Sequence, residues 1–186
     1  MKRSLAAVIL VFLLAGCSRS VKPDFELKPD STTGVVIVSM TASGRIPGEL
    51  LFYLRPMGNV ISLQPRAMQV FGPTKDQIDW PILKSGNPPN QPPGRLAILE
   101  LSPGQYEFYR WSGGVGGNMI AQSRPFSYPF EVRAGEVVYL GTLHLNRPDD
   151  QKYTMTTGDR RERDFALLQK RLPNVAPEKI VTRLLK

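Results

Sequence analysis

The chain has 186 residues, with 24 Lys and Arg against 16 Asp and Glu, a formal net charge of +8 at pH 7, one His and one Cys. One cysteine rules out an internal disulfide framework and a multi-thiolate metal centre, and one histidine is too few for a strong zinc site, which takes three or four His, Cys or carboxylate ligands. Residues 17–158 carry a net of only +2, residues 159–186 carry +4 and the first 16 residues the other +2, so the basic excess is no nucleic-acid footprint.

In chain order, Lys2 and Arg3 precede an apolar run from Leu5 to Leu13 that ends in Leu14-Ala15-Gly16-Cys17. A basic start, a short apolar stretch and small residues make a secretory leader. The run is shorter than the roughly 20 apolar residues of a spanning helix. Leu14, Ala15, Gly16 and Cys17 resemble a bacterial lipobox. The resemblance implies cleavage before Cys17 and two or three acyl chains on it, a durable anchor where one chain would be marginal. Ser18, with no Asp in that position, resembles the outer-membrane sorting signal of two-membrane bacteria, so the domain is expected to face the periplasm. The expected organisation is a leader over 1–16, a lipidated flexible tether over 17–33, a β-domain over 34–158 and a helical segment over 159–186. Removal of the leader leaves 170 residues, one domain that can bury roughly 70% of its unfolded surface.

After the tether come short runs rich in β-branched and aromatic residues: Val35 to Met40, Glu49 to Arg55, Val60 to Leu63, Ala67 to Phe71, Arg95 to Leu101, Gln105 to Trp111, Tyr128 to Arg133, Glu136 to Leu145 and Lys152 to Thr156. Some alternate, as Leu50, Phe52 and Leu54 do against Glu49 and Arg55; others, such as 96–99, are almost wholly apolar. The pattern predicts an all-β, two-layer β-sandwich. Ser102-Pro103-Gly104-Gln105 has type II turn chemistry and Ala134-Gly135 reads as a tight hairpin, so each is expected to join two adjacent strands. Leu101-Ser102-Pro103-Gly104-Gln105-Tyr106-Glu107-Phe108 resembles the L-x-P-G-x-Y-x-F signature of carboxypeptidase-regulatory-like and transthyretin-like sandwiches, and Phe130 to Gly141 is similar to a stretch of envelope lipoproteins of that type. The resemblance implies a transthyretin-like or immunoglobulin-like sandwich serving as an accessory or binding module; it transfers no active site.

From Asp159 the period changes. Asp159 with Glu162 resembles a capping box, and Phe165, Leu168 and Leu172 predict a C-terminal amphipathic helix that Pro173 ends. Pro177 is expected to open a second short helix bearing Ile180, Val181, Leu184 and Leu185. Lys179, Arg183 and Lys186 are the candidate contacts for anionic lipid or an acidic partner.

No catalytic set emerges. His144, between Leu143 and Leu145, reads as a sheet-surface histidine before it reads as a general base or metal ligand. No serine lies in a G-x-S-x-G elbow. Asp76 and Asp79 beside Trp80 are the nearest approach to paired carboxylates, and Asp149-Asp150 reads as a polar turn. The loop from Gly72 to Gly94 holds six of the 17 prolines, a stiff segment that can face a partner with Trp80 as its anchor. Ser112 to Asn118 is glycine-rich but lacks P-loop context, and reads as a long loop flanked by Arg110, Trp111 and Arg124. The expected role is a non-catalytic binding or structural module for an envelope protein, without cofactor or metal. A carbohydrate or peptidoglycan binder with Trp80 and Trp111 as a platform, and an enzyme with paired carboxylates, are the alternatives.

Overall fold

The computed structural model describes residues 21, 24–26, 28, 30–44, 49–58, 66–71, 78–79, 92, 94–115, 118–122, 124–147 and 152–186. The strands are β1 (Gly34–Gly44), β2 (Glu49–Pro56), β3 (Arg66–Phe71), β4 (Ile78–Asp79), β5 (Gly94–Leu101), β6 (Gly104–Val115), β7 (Asn118–Ala121), β8 (Tyr128–Val132), β9 (Val137–Arg147) and β10 (Thr154–Gly158). They are followed by helix α1 (Arg161–Arg171), a 3-10 turn (Pro177–Lys179) and β11 (Val181–Thr182). Among the described residues one sheet runs β10-β9-β1-β5-β4 with β11 also on β9, and the other runs β3-β2-β6-β7 with β8 also on β6. All pairs are antiparallel except β1 with β9 and β11 with β9.

The two sheets share one core. Alternate residues of β1 (Val36, Val38, Met40, Ala42) meet Leu50, Phe52 and Leu54 of β2, Phe108 and Trp111 of β6, and Leu143 and Leu145 of β9. Burial of each large apolar side chain contributes about 1.5–3 kcal/mol. The architecture is thus all-β and sandwich-like.

Both turn signals reverse the chain, but neither makes a hairpin. The Ser102 turn leads from β5 in one sheet to β6 in the other, and the Gly135 turn from β8 to β9 likewise. Turn chemistry sets the reversal, with Gly135 at φ 69 and the Glu136 amide donating to Arg133 O at 3.3 Å. Burial selects the strand partners: Leu101, Tyr106 and Phe108 on one pair of arms, and Phe130, Val132, Val138 and Leu140 on the other, all enter the same core, which a crossing between layers permits. The Tyr106 hydroxyl donates back to Ser102 O at 3.0 Å and braces the first corner.

Several expectations change. The glycine-rich segment expected to be a loop is strand: Ser112 to Gly114 pair with both β2 and β7. Ile78 and Asp79, expected in a loop, pair with β5. The helix expected after Pro177 is a single 3-10 turn followed by β11, because Ile180 and Leu185 are buried in different clusters and only an extended chain reaches both. Val21 is 4% exposed and packs, with Phe25, against the outer face of the six-stranded sheet, so part of the expected tether belongs to the folded body. The run Val60 to Leu63 lies outside the described residues.

Two features of the six-stranded sheet build the site. The first is a bulge: Ile37 pairs with Tyr139 and Ser39 with Thr142, so Leu140 and Gly141 stand against Val38 alone. Gly141 takes φ 87, and a Cβ there would meet Gly158 O at 2.5 Å. The extra residue shifts the alternation. Before it Tyr139 faces out and Leu140 in; after it Leu143 and Leu145 face in, leaving Thr142, His144 and Asn146 outward. The second is α1, which covers only part of that outer face, burying Leu168 and Leu172 against Val35, Ile37, Val137 and Tyr139.

Candidate functional site

Where α1 stops, the outer face turns polar. In the parallel register of β1 and β9, Ser39 lies beside Thr142, Thr41 beside His144 and Ser43 beside Asn146, while β10 sets Thr156 opposite His144 and Thr154 opposite Asn146. Ser39 and Thr142 share a hydrogen bond of 2.6 Å. Thr41 Oγ1 lies 2.7 Å from His144 Nδ1 and Ser43 Oγ 3.0 Å from Nε2.

The proton directions follow from the inventory of donors. Ser43 gives its one hydroxyl proton to Asn146 Oδ1 at 2.7 Å, so the Nε2–H of His144 donates to Ser43 and Nδ1 accepts from Thr41. Burial, then the positive charges of Arg160 and Arg163, hold the imidazole below its ordinary pKa of 6.5, and it is neutral at pH 7. Here histidine is the donor to serine, the reverse of the arrangement that activates a nucleophile.

Around this floor opens a pocket of about 200 Å³ lined by Thr41, Ser43, Pro92, Thr142, His144, Thr156, Thr157, Gly158, Arg160 and Arg163. Among the described residues the lining holds two arginines and no carboxylate. Both arginines come from the start of α1. The Arg160 amide donates to the Tyr139 hydroxyl at 3.2 Å, and that hydroxyl donates to the fully buried Asp164 at 2.7 Å. Burial and then the Asp164 charge push the Tyr139 hydroxyl far above its ordinary pKa, so it stays a donor. Arg163 bonds Asp164 at 2.9 Å and reaches Ser39 Oγ at 3.2 Å. Asp159, expected to cap with Glu162, instead accepts from the Arg161 amide at 3.0 Å and grips its guanidinium; Arg160 holds the cap position.

The outer face of the five-stranded sheet is different. Tyr53 and Tyr109 meet edge to face at 6.5 Å. Arg55 lies over Tyr109 at 4.3 Å and Arg110 over Tyr53 at 5.3 Å. Arg55 also pairs with Glu107 at 2.7 Å. Burial pushes the Glu107 carboxyl up, but bonds from Ser127 and Arg55 outweigh it and hold it below the usual range. Tyr53 OH bonds Ser112 at 3.0 Å. Among the described residues no helix covers this face.

The described residues among those singled out from sequence do not converge. Trp111 is 3% exposed, packed in the core with its ring 4.8 Å from that of Tyr153, and offers no binding platform. Its neighbour Arg110 is exposed on the opposite face, and Arg124 is exposed beyond β7. Arg183 is engaged by a two-pronged pair with Glu136, which removes it as a free contact for lipid or an acidic partner; Lys179 and Lys186 are exposed. Asp79 contributes its backbone to β4. Asp76, Trp80, Asp149, Asp150, Leu14, Ala15, Gly16, Cys17 and Ser18 lie outside the described residues. Among the described residues no three His, Cys, Asp or Glu side chains assemble that could hold a metal ion. Sequence reasoning missed the hydroxyl rows, Ser39/Thr41/Ser43 and Thr154/Thr156; their alternation was the available signal, obscured on β9 by the bulge. No family model, curated protein or solved structure matches the chain.

Proposed function

We propose that this chain is an envelope lipoprotein, acylated on Cys17 and carried to the outer membrane, whose sandwich is a non-catalytic module that binds another envelope protein. Leu14-Ala15-Gly16-Cys17 supports the anchor, and the braced Ser102 to Phe108 corner supports a transthyretin-like type of sandwich. The observation that carries the binding reading is the Tyr53, Tyr109, Arg55 and Arg110 cluster on the five-stranded sheet. Tyrosine and arginine dominate the energetic centres of protein contacts, and side chains already held by ring and cation contacts lose little freedom when a partner arrives. The buried position of Trp111 disfavours the carbohydrate platform, and a histidine that donates to its serine supports holding over turnover.

The test is in-cell photocrosslinking from position 110, with position 179 on the side of the other sheet as control. A discrete protein captured from position 110 alone is expected, and Tyr109→Ala is expected to weaken its capture by roughly 30-fold, the scale of an interface hot spot. Capture from position 179 only, or none from position 110, overturns the assignment of this face.

A further inference from the structure

A protein contact of ordinary size covers about 800 Å² on each partner, far more than the pocket on the other sheet can offer. That pocket calls for a small ligand of its own. Its volume of about 200 Å³ equals a handful of waters at about 30 Å³ each, and falls below the roughly 300–1,000 Å³ of sites for larger organic ligands.

We infer that this pocket is a binding site for a phosphate-like oxyanion, held by Arg160, Arg163 and the Thr156 hydroxyl of β10 over the His144 floor. Charge argues for an anion: among the described residues two guanidiniums and no carboxylate line the space. Arg163 is already tied to Asp164 and Ser39, whereas none of the ion pairs among the described residues engages Arg160. The guanidinium of Arg160 is therefore the cation left for a ligand, and guanidinium to phosphate is among the stronger hydrogen-bonded pairings.

The hydroxyls argue the same way. Thr41 and Ser43 direct their protons to His144 and Asn146, but Thr156, which stands opposite His144 on the outer face, finds no acceptor among the described residues and lines the cavity. Donors reach the space from β10 on one side and the start of α1 on another, above the β1 and β9 floor. That distribution surrounds a tetrahedral group better than it matches the single plane of a carboxylate. The N-terminal end of α1 adds its partial positive charge. The neutral imidazole keeps the floor rigid without admitting a third cation.

The protein carries one histidine, which makes its ring a clean reporter. The full lipidated chain in phosphatidylcholine nanodiscs, with labelled histidine, is titrated with inorganic phosphate and separately with acetate; a parallel sample carries phosphatidylglycerol in the disc. A saturable shift of the His144 ring with phosphate is expected, together with an upward move of its titration midpoint, because a bound anion favours the imidazolium. Arg160→Gln is expected to weaken binding about tenfold or more, the scale of a charge-assisted bond, while Arg133→Gln, at an exposed arginine paired with Glu131 outside the pocket lining, leaves it unchanged. A shift with phosphatidylglycerol and not with free phosphate supports the same chemistry and assigns the source to a lipid headgroup. Acetate binding as tightly as phosphate overturns the tetrahedral preference. No saturable shift with either phosphate source, or undiminished binding in folded Arg160→Gln, overturns the site. Crosslinking from position 110 is independent of all these outcomes, so the loss of one proposal leaves the other standing.

Discussion

At the scale of single residues, Gly141 and His144 decide what the outer face of the six-stranded sheet can do. Gly141→Ala sets a side chain at φ 87 and within 2.5 Å of Gly158 O, and is expected to cost about 1–3 kcal/mol. Gly158→Ala, where a Cβ meets nothing within 4 Å, should stay within about 0.5 kcal/mol; denaturant unfolding of both variants checks the contrast. His144 gives a pH signature whose sign is fixed. Its folded pKa lies below 6.5 because of burial and the two arginines, so the unfolded chain takes up the proton first as pH falls. Stability from this group is therefore complete above the unfolded value and is lost as pH falls from about 6.5 towards the folded pKa, where the loss levels off. Thermal melts between pH 8 and 5 should show that decline, and His144→Gln should flatten it; an equal slope in the variant would refute the assignment. Both residues were visible in the sequence, and Leu143 and Leu145 on either side put His144 on the sheet surface, where the structure has it. What stayed hidden is the bulge that reconciles this with the inward Val138 and Leu140, because it rests on the positive φ of Gly141, which no residue letter states.

At the scale of elements, α1 is fastened by one buried carboxylate. Asp164 receives the Tyr139 hydroxyl and the Arg163 guanidinium in a site closed to water. Asp164→Ala leaves both donors unmet, and is expected to destabilise the protein by about 3–5 kcal/mol, the usual cost of breaking a buried pair from one side. Hydrogen exchange should show α1 opening ahead of the strands; a loss below about 1 kcal/mol would mean the helix is held by Leu168 and Leu172 alone. Elements with long periodic patterns were legible: β1, β2, β5, β6 and β9 follow their apolar runs, and α1 follows Phe165, Leu168 and Leu172. Two- and four-residue edge strands such as β4, β7 and β11 were not, because a strand that short owes its form to the neighbour that bonds it. The partners of β6 and β9 were hidden for a related reason, since turn residues encode a reversal and leave the choice of sheet to burial.

At the scale of the whole molecule, the two outer faces divide the work: one sheet is half roofed by α1 and ends in a basic pocket, the other presents tyrosine and arginine to the solvent. The proposed anchor belongs to this scale. Cys17→Ser is expected to shift the protein from the membrane fraction to the soluble one on cell fractionation, without altering the unfolding midpoint of the domain. Retention of the variant in the membrane would mean that something other than acyl chains holds it.

The parallel pairing of β1 with β9 also sets an order of events. A chain made from its N-terminus presents Gly34–Gly44 long before Val137–Arg147 exists, and β10 and β11, which also bond to β9, come later still. No N-terminal fragment can complete the six-stranded sheet, and loop closure over that distance is slow. A chain cut before Val137 would therefore leave Gly34–Gly44 paired on the β5 side alone, with its other edge open to a strand from a second molecule.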